Sequence, residues 1–334
     1  MSKLVLHIGT HKTATTTVQD TFWANAELLE AHGLIYPKLG RVTGHHGLVM
    51  AWGNQLPEIY HLPRGVRGTF EDLSTNWADQ DKTVFLSSEE FSRGEAVSAV
   101  NFSQLREMAS AFDEVKVLCV LRAQWQFLQS IYLERSKTYN PPRPPYIIEQ
   151  AIDSGMCEGL WIDYNLLLDQ LQAAFAPSEI TFLDFHSVRA EPGGIIGAVL
   201  RHLDVPLESS ELEEVNDGVS NVSPMSLASW AANILSEPLM APAWLVEMNT
   251  EILKTQFGAD ARPCLFTREE FTRLQTHFEA LNEIFCARRE KVQPGFHICG
   301  MDSEELNLFR QRIDGDFWLR CSRRVTQRIL TSGH

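Results

Sequence analysis

No stretch of this chain approaches the roughly 18 consecutive apolar residues that a membrane-spanning helix requires. The opening residues, Met1 to Gly9, are interrupted by His7 and Gly9 too soon for a secretory h-region, so a cytoplasmic protein is expected. No C-x-x-C pair occurs among the six cysteines (Cys119, Cys157, Cys264, Cys286, Cys299, Cys321), which points to reduced, structural thiols. Basic residues are scarce. The 29 lysines and arginines face 43 acidic residues, and the net charge of -14 argues against a surface built to coat nucleic acid or to insert in anionic lipid. A local basic pocket is compatible with that balance. Internal repeats and low-complexity tracts are absent.

What is present is a composition of 44% hydrophobic and 22% charged residues, ordinary for a globular chain of 334 residues. Four short apolar runs read as buried strands: Leu4 to Ile8, Thr83 to Leu86, Val115 to Leu121 and Ile180 to Phe185. Amphipathic helical stretches separate them, which predicts an α/β fold with a parallel β-sheet flanked by helices. The first helix carries Val18, Phe22, Ala26 and Leu29 on one face and stops at Gly33. Beyond residue 205 the pattern is helical, over Met225 to Leu235, Trp244 to Phe257, Arg268 to Arg288 and Phe317 to Leu330. The expected organisation is an α/β nucleotide-binding core over 1–205 and a helical C-terminal part over 206–334, packed on it as one continuous domain. Pro141, Pro142, Pro144 and Pro145 mark a loop, as does Glu191 to Gly194.

The segment HIGTHKTATTTVQ, His7 to Gln19, places Gly9, Lys12 and five threonines between the first strand and the first helix. A strand, a glycine-bearing polar loop and a helix opening near Thr15 aim backbone N–H groups and the helix dipole at an anion. Lys12 adds a point charge, and Thr13, Thr15, Thr16 and Thr17 offer short hydroxyl donors. A nucleoside triphosphatase would show G-x-x-x-x-G-K-[ST]. Here His11 precedes the lysine, which disfavours that class, while threonines that merely cap a helix are the bland alternative.

GTHKTATTT resembles the 5′-phosphosulfate loop of sulfotransferases that use 3′-phosphoadenosine 5′-phosphosulfate. It departs from the usual form at Ala14, where glycine is usual; alanine disfavours a positive φ, so the loop is expected to differ slightly there. The segment VKVLCVLRAQWQFLQSIYLERSK ends a strand in Arg122 and carries Ser130 eight residues later, which resembles the family's 3′-phosphate element. VFLSSEEFSR, GLWIDYNLLLDQLQAAF and VNDGVSNVSPMSLASW are similar to segments of bacterial members. The resemblance implies a P-loop-like core, a sulfonucleotide donor bound by His11, Lys12, Thr13, Ala14, Thr15, Thr16, Thr17, Arg122 and Ser130, and no required metal. The acceptor would be a hydroxyl or amine, on a carbohydrate or a small molecule.

Sulfuryl transfer also needs a base facing the sulfur. GRVTGHHGLVMAW sets His45 and His46 at a helix start, and SSEEF sets Glu89 and Glu90 beyond the end of the second strand run, the edge where open α/β sheets bind ligands. The family uses either histidine or glutamate. The role therefore falls to His45 or His46, with Glu90 the carboxylate candidate, Lys12 stabilising the leaving group and His11 shaping the loop or touching the donor. Two other functions share the fold: an ATP-dependent kinase, and a silent nucleotide-binding protein with a degenerate loop.

Overall fold

A computed structural model describes residues 1–95, 99–215, 224–304 and 306–332. Part of the segment VNDGVSNVSPMSLASW, residues 216–223, lies outside them. The chain divides into two compact units that no single cut in the sequence separates. The first comprises Met1–Ala123, Gly155–Ser220 and Ala280–Gly300; the second comprises Gln124–Ser154, Asn221–Glu279 and Met301–His334.

The first unit is built on a five-stranded sheet. Its strands are β1 (Lys3–His7), β2 (Leu34–Ile35), β3 (Thr83–Ser87), β4 (Glu114–Leu121) and, after the small hairpin β5 (Met156–Cys157) and β6 (Leu160–Trp161), β7 (Ile180–Asp184). Their order is β2-β3-β1-β4-β7, and every pairing is parallel. β1 is central because Leu4, Val5, Leu6 and His7 are all buried, and a strand apolar on both faces belongs inside a parallel sheet. Leu4 lies opposite Val84 on one side and Val115 on the other. The strand order reverses beside β1, so a crevice forms at the carboxyl ends of β1, β3 and β4.

One face of the sheet is covered by α1 (Thr15–Ala24), α2 (Ala26–Ala31), α8 (Phe185–Ala190) and α9 (Gly194–His202). Val5, Phe85, Leu118 and Val120 meet Val18, Phe22, Leu29, Val188 and Val199 in a single buried cluster. Burying a side chain such as Phe22 contributes roughly 1.5–3 kcal/mol. The helix expected to run unbroken from Val18 past Leu29 is two helices. Asn25 interrupts it, because its side chain bonds Thr21 O and pairs with both the carbonyl and the N–H of Glu213.

At the outer edge, β7 is closed by side chains from far along the chain. Gln293 accepts from Phe182 N and donates to Phe182 O, both at 2.9 Å, as a neighbouring strand would. The fully buried Arg289 donates to Pro177 O and Ile180 O.

In the second unit the described elements are mainly helices: α5 (Gln124–Arg135), α6 (Pro144–Ser154), α10 (Ser226–Ser236), α11 (Ala243–Phe257), the start of α12 (Arg268–Arg289) and α13 (Gly315–Ser332). Leu227, Ala231, Ile252, Leu253, Phe317 and Cys321 form its core. Asn233 ties α10 to α5 through Tyr132 Oη and Ser136 Oγ. None of the described helices is long and apolar enough to cross a membrane.

Candidate functional site

The loop after β1 is shaped by backbone demands before any chemistry. Gly9 has φ +88°, and a Cβ there would stand 2.8 Å from Glu89 Cβ and 3.0 Å from Glu89 Cα, so the loop lies directly on the chain leaving β3. Thr10 N donates to Val120 O at 2.9 Å, which anchors the other side of the loop to β4. Lys12 and Ala14 both adopt left-handed conformations, with φ 61° and 60°. Ala14 thus holds a left-handed conformation that glycine would adopt without a Cβ penalty, at a cost in backbone strain.

The hydroxyls are used differently from the expectation. Thr13 and Thr15 are buried, and both donate to Thr10 O, at 2.6 and 3.3 Å. They hold the loop's curve instead of offering protons to a ligand. Thr16 is exposed at the start of α1 and Thr17 follows it. The helix ladder begins with Val18 N on Ala14 O, so the amides before it face out of the N-terminus, where an anion is favoured.

His11 places Nε2 3.3 Å from Glu90 Oε1, while its Nδ1 is buried without a partner among the described residues. A buried ring nitrogen calls for a partner. An anionic oxygen bound in the loop would supply one when Nδ1 carries a proton.

Glu90 is further bound by Arg93, whose Nε meets Oε2 and whose Nη2 lies 3.4 Å from Oε1. Burial pushes its pKa up, but the hydrogen bonds and charges of His11 and Arg93 outweigh this and hold it down at about 2. A carboxylate so committed is a poor proton acceptor, and Glu90 is better described as the counter-ion of His11 and Arg93.

The two adjacent histidines have opposite circumstances. His45 is buried; Nδ1 accepts from Ser87 N at 2.9 Å and Nε2 donates to Pro37 O at 2.8 Å. Both nitrogens serve the backbone, and burial lowers its pKa to about 4. The expectation that His45 could act as base is corrected on that ground. His46 has Nδ1 2.9 Å from Ser88 Oγ and 3.9 Å from Glu89 Oε2, which favours the proton on Nδ1 and leaves the lone pair on Nε2. Nε2 packs beside Gly44, where a Cβ would come within 2.4 Å of it. Glu89 is oriented in turn by Gln19 Nε2 at 3.1 Å.

Arg122 leaves the end of β4, and its Nη1 donates to Lys12 O at 3.0 Å, so the arginine and the anion loop are directly joined. Ser130 lies on α5, in the second unit. Thr10, Gln19, Ser88 and Arg93 are not singled out as site residues by sequence. Single polar residues without a motif give no signal of their own; only the closeness of Gly9 to Glu89 reveals them. Among the described residues no group of three or more His, Cys, Asp or Glu side chains is placed to hold a metal ion.

No family model matches the chain, and no curated protein matches it. Solved structures similar to it include a sulfotransferase from Alicyclobacillus acidocaldarius, at 12% identity and TM-score 0.41, over 69% of this chain and 92% of that one. A sulfotransferase domain from the curacin biosynthetic pathway aligns at 12% identity and TM-score 0.37, over 84% and 98%. A sulfotransferase domain from the Synechococcus olefin synthase aligns at 12% identity and TM-score 0.39, over 85% and 94%.

Proposed function

We propose that this protein transfers a sulfuryl group from 3′-phosphoadenosine 5′-phosphosulfate to a hydroxyl or amine acceptor by in-line displacement. The observation that carries this reading is the loop Gly9 to Thr17: a left-handed turn at Lys12 and Ala14 that opens the amides of α1 beside a lysine, at the carboxyl end of the central strand. His46 Nε2 takes the acceptor's proton as the acceptor oxygen or nitrogen bonds to sulfur. Lys12 and the amides of α1 stabilise the negative charge on the bridging oxygen as the sulfur–oxygen bond to phosphate breaks. Ser88 and Glu89 keep the His46 ring in the tautomer that accepts.

A kinase would use carboxylate oxygens at this edge to hold Mg²⁺ on the phosphates. Here Glu90 has both oxygens on His11 and Arg93, and Glu89 accepts from Gln19. The donor's charge is thus met by side-chain cations and backbone amides. The test is a melting experiment in chelator. 3′-Phosphoadenosine 5′-phosphate at a hundred times its Kd should stabilise the protein by about 2.7 kcal/mol, and Lys12→Ala should cut turnover of labelled donor far more than it weakens binding of that product. Strong stabilisation by ATP-Mg²⁺ with none by the bisphosphate would replace this reading with a kinase.

A further inference from the structure

The second unit carries a pocket of about 780 Å³ where α5, α10 and α11 meet, a size suited to a small organic molecule. Its walls are fastened to one another. Asn233 holds α10 to α5, and Asn249 Nδ2 donates to Ala228 O at 3.4 Å, which sets α11 against α10 beside Ser229. Leu133, Met240, Ala241 and Val246 give the pocket a mainly apolar lining. Most of its polar groups are already engaged. The Ser136 and Thr250 hydroxyls donate to Tyr132 O and Val246 O, Lys137 pairs with Glu134, and Glu251 pairs with Arg324. Two groups differ. Ser229, on α10, is 3% exposed, and its hydroxyl has no hydrogen-bond partner among the described residues. Glu247, on α11, forms no ion pair among the described residues.

We propose that this pocket binds a small apolar molecule carrying a protonated amine, with its body against Leu133, Met240 and Val246 and its ammonium on Glu247. This assignment is independent of the sulfotransferase reading. Charge decides the class of ligand. Lys137 is the one cation among the described lining residues and is neutralised by Glu134, whereas the Glu247 carboxylate is uncompensated, so the pocket's field is negative. An anionic amphiphile meets repulsion there, and a neutral one gains only the burial of its apolar surface. Ser229 adds direction. A nearly buried hydroxyl calls for a partner, and an ether, carbonyl or sulfonyl oxygen on the ligand supplies one.

Three dansyl probes that share a fluorophore and a short alkyl chain but differ in charge test it: dansylcadaverine, a primary amine; neutral N-pentyl-dansylamide; and anionic dansylaminohexanoate. In fluorescence titrations of the full chain at low salt, dansylcadaverine should bind roughly 5-fold more tightly than the neutral probe, with the carboxylate weakest. Glu247→Gln should erase the amine's advantage and leave the Kd of the neutral probe within about 2-fold of wild type. Ala243→Trp should fill the pocket and weaken every probe by about 10-fold or more. Both substitutions lie at exposed positions. Equal affinities for amine and neutral probes, tighter binding of the carboxylate, an amine preference that survives Glu247→Gln, or unchanged binding in Ala243→Trp overturns the inference. So does a wild-type protein that binds none of the probes. Each of these results leaves the sulfotransferase reading where it stood.

Discussion

His45 and His46 are neighbours in sequence, yet one has both ring nitrogens on the backbone and the other has only Nδ1 engaged, by the Ser88 hydroxyl, with Nε2 beside Gly44. His46→Ala should therefore lower kcat by roughly 10²-fold or more while product binding stays near wild type, the signature of a lost general base. His45→Ala should instead lower the melting temperature, because the Ser87 N–H and the Pro37 carbonyl each lose a buried partner. Steady-state rates and thermal melts on both variants decide it, and wild-type turnover by His46→Ala would remove His46 from the chemistry. Sequence could nominate the pair, since histidine beside a glycine is a recognisable signal. It could not choose between them, because the choice depends on Ser87 and Pro37, which reach His45 only through the fold. Glu90 is a similar case: its neighbours His11 and Arg93 decide that it is a counter-ion.

At the level of elements, the apolar runs predicted β1, β3, β4 and β7 to within about a residue, since a strand buried on both faces leaves a continuous apolar run. β2 was missed, as two residues, Leu34 and Ile35, are too few to show a period. The helix break at Asn25 was missed because the apolar spacing continues through it, and only the distant Glu213 backbone accounts for it. Lys12 and Arg122 stand out in the sequence because charges placed just after apolar strands are rare, and the fold joins them through the bond from Arg122 to Lys12 O. The loop itself carries a testable strain. An alanine in the left-handed region costs roughly 1–2 kcal/mol, against which glycine gives up roughly 0.5–1 kcal/mol of chain entropy. Ala14→Gly should thus stabilise the protein by about 0.5–1 kcal/mol, measured as a higher urea midpoint. A lower midpoint would mean that the Ala14 methyl contributes packing that outweighs its strain.

Across the whole molecule, His7 and His45 are both buried with pKa values lowered to about 4, by burial before any other cause. The unfolded chain takes up these protons near 6.5, so the stability they carry is complete above that pH and is lost as pH falls from about 6.5 towards 4. Each contributes a slope of about 1.4 kcal/mol per pH unit within that window. Glu90, held at about 2, acts in a lower window, below its ordinary 4.5. Urea unfolding at pH 7.5 and pH 5 should show a clear fall in the midpoint, and a flat profile would mean that these rings are not neutral in the folded protein. The closed edge of β7 has a consequence for how the protein is made. Gln293 stands 111 residues after Phe182, the residue it pairs with. At ~5–20 residues per second, a ribosome leaves that edge uncovered for roughly 5–20 s. During that interval the nascent chain presents an unpaired row of strand donors and acceptors, which makes Ile180 to Asp184 the stretch that a chaperone has most reason to shield.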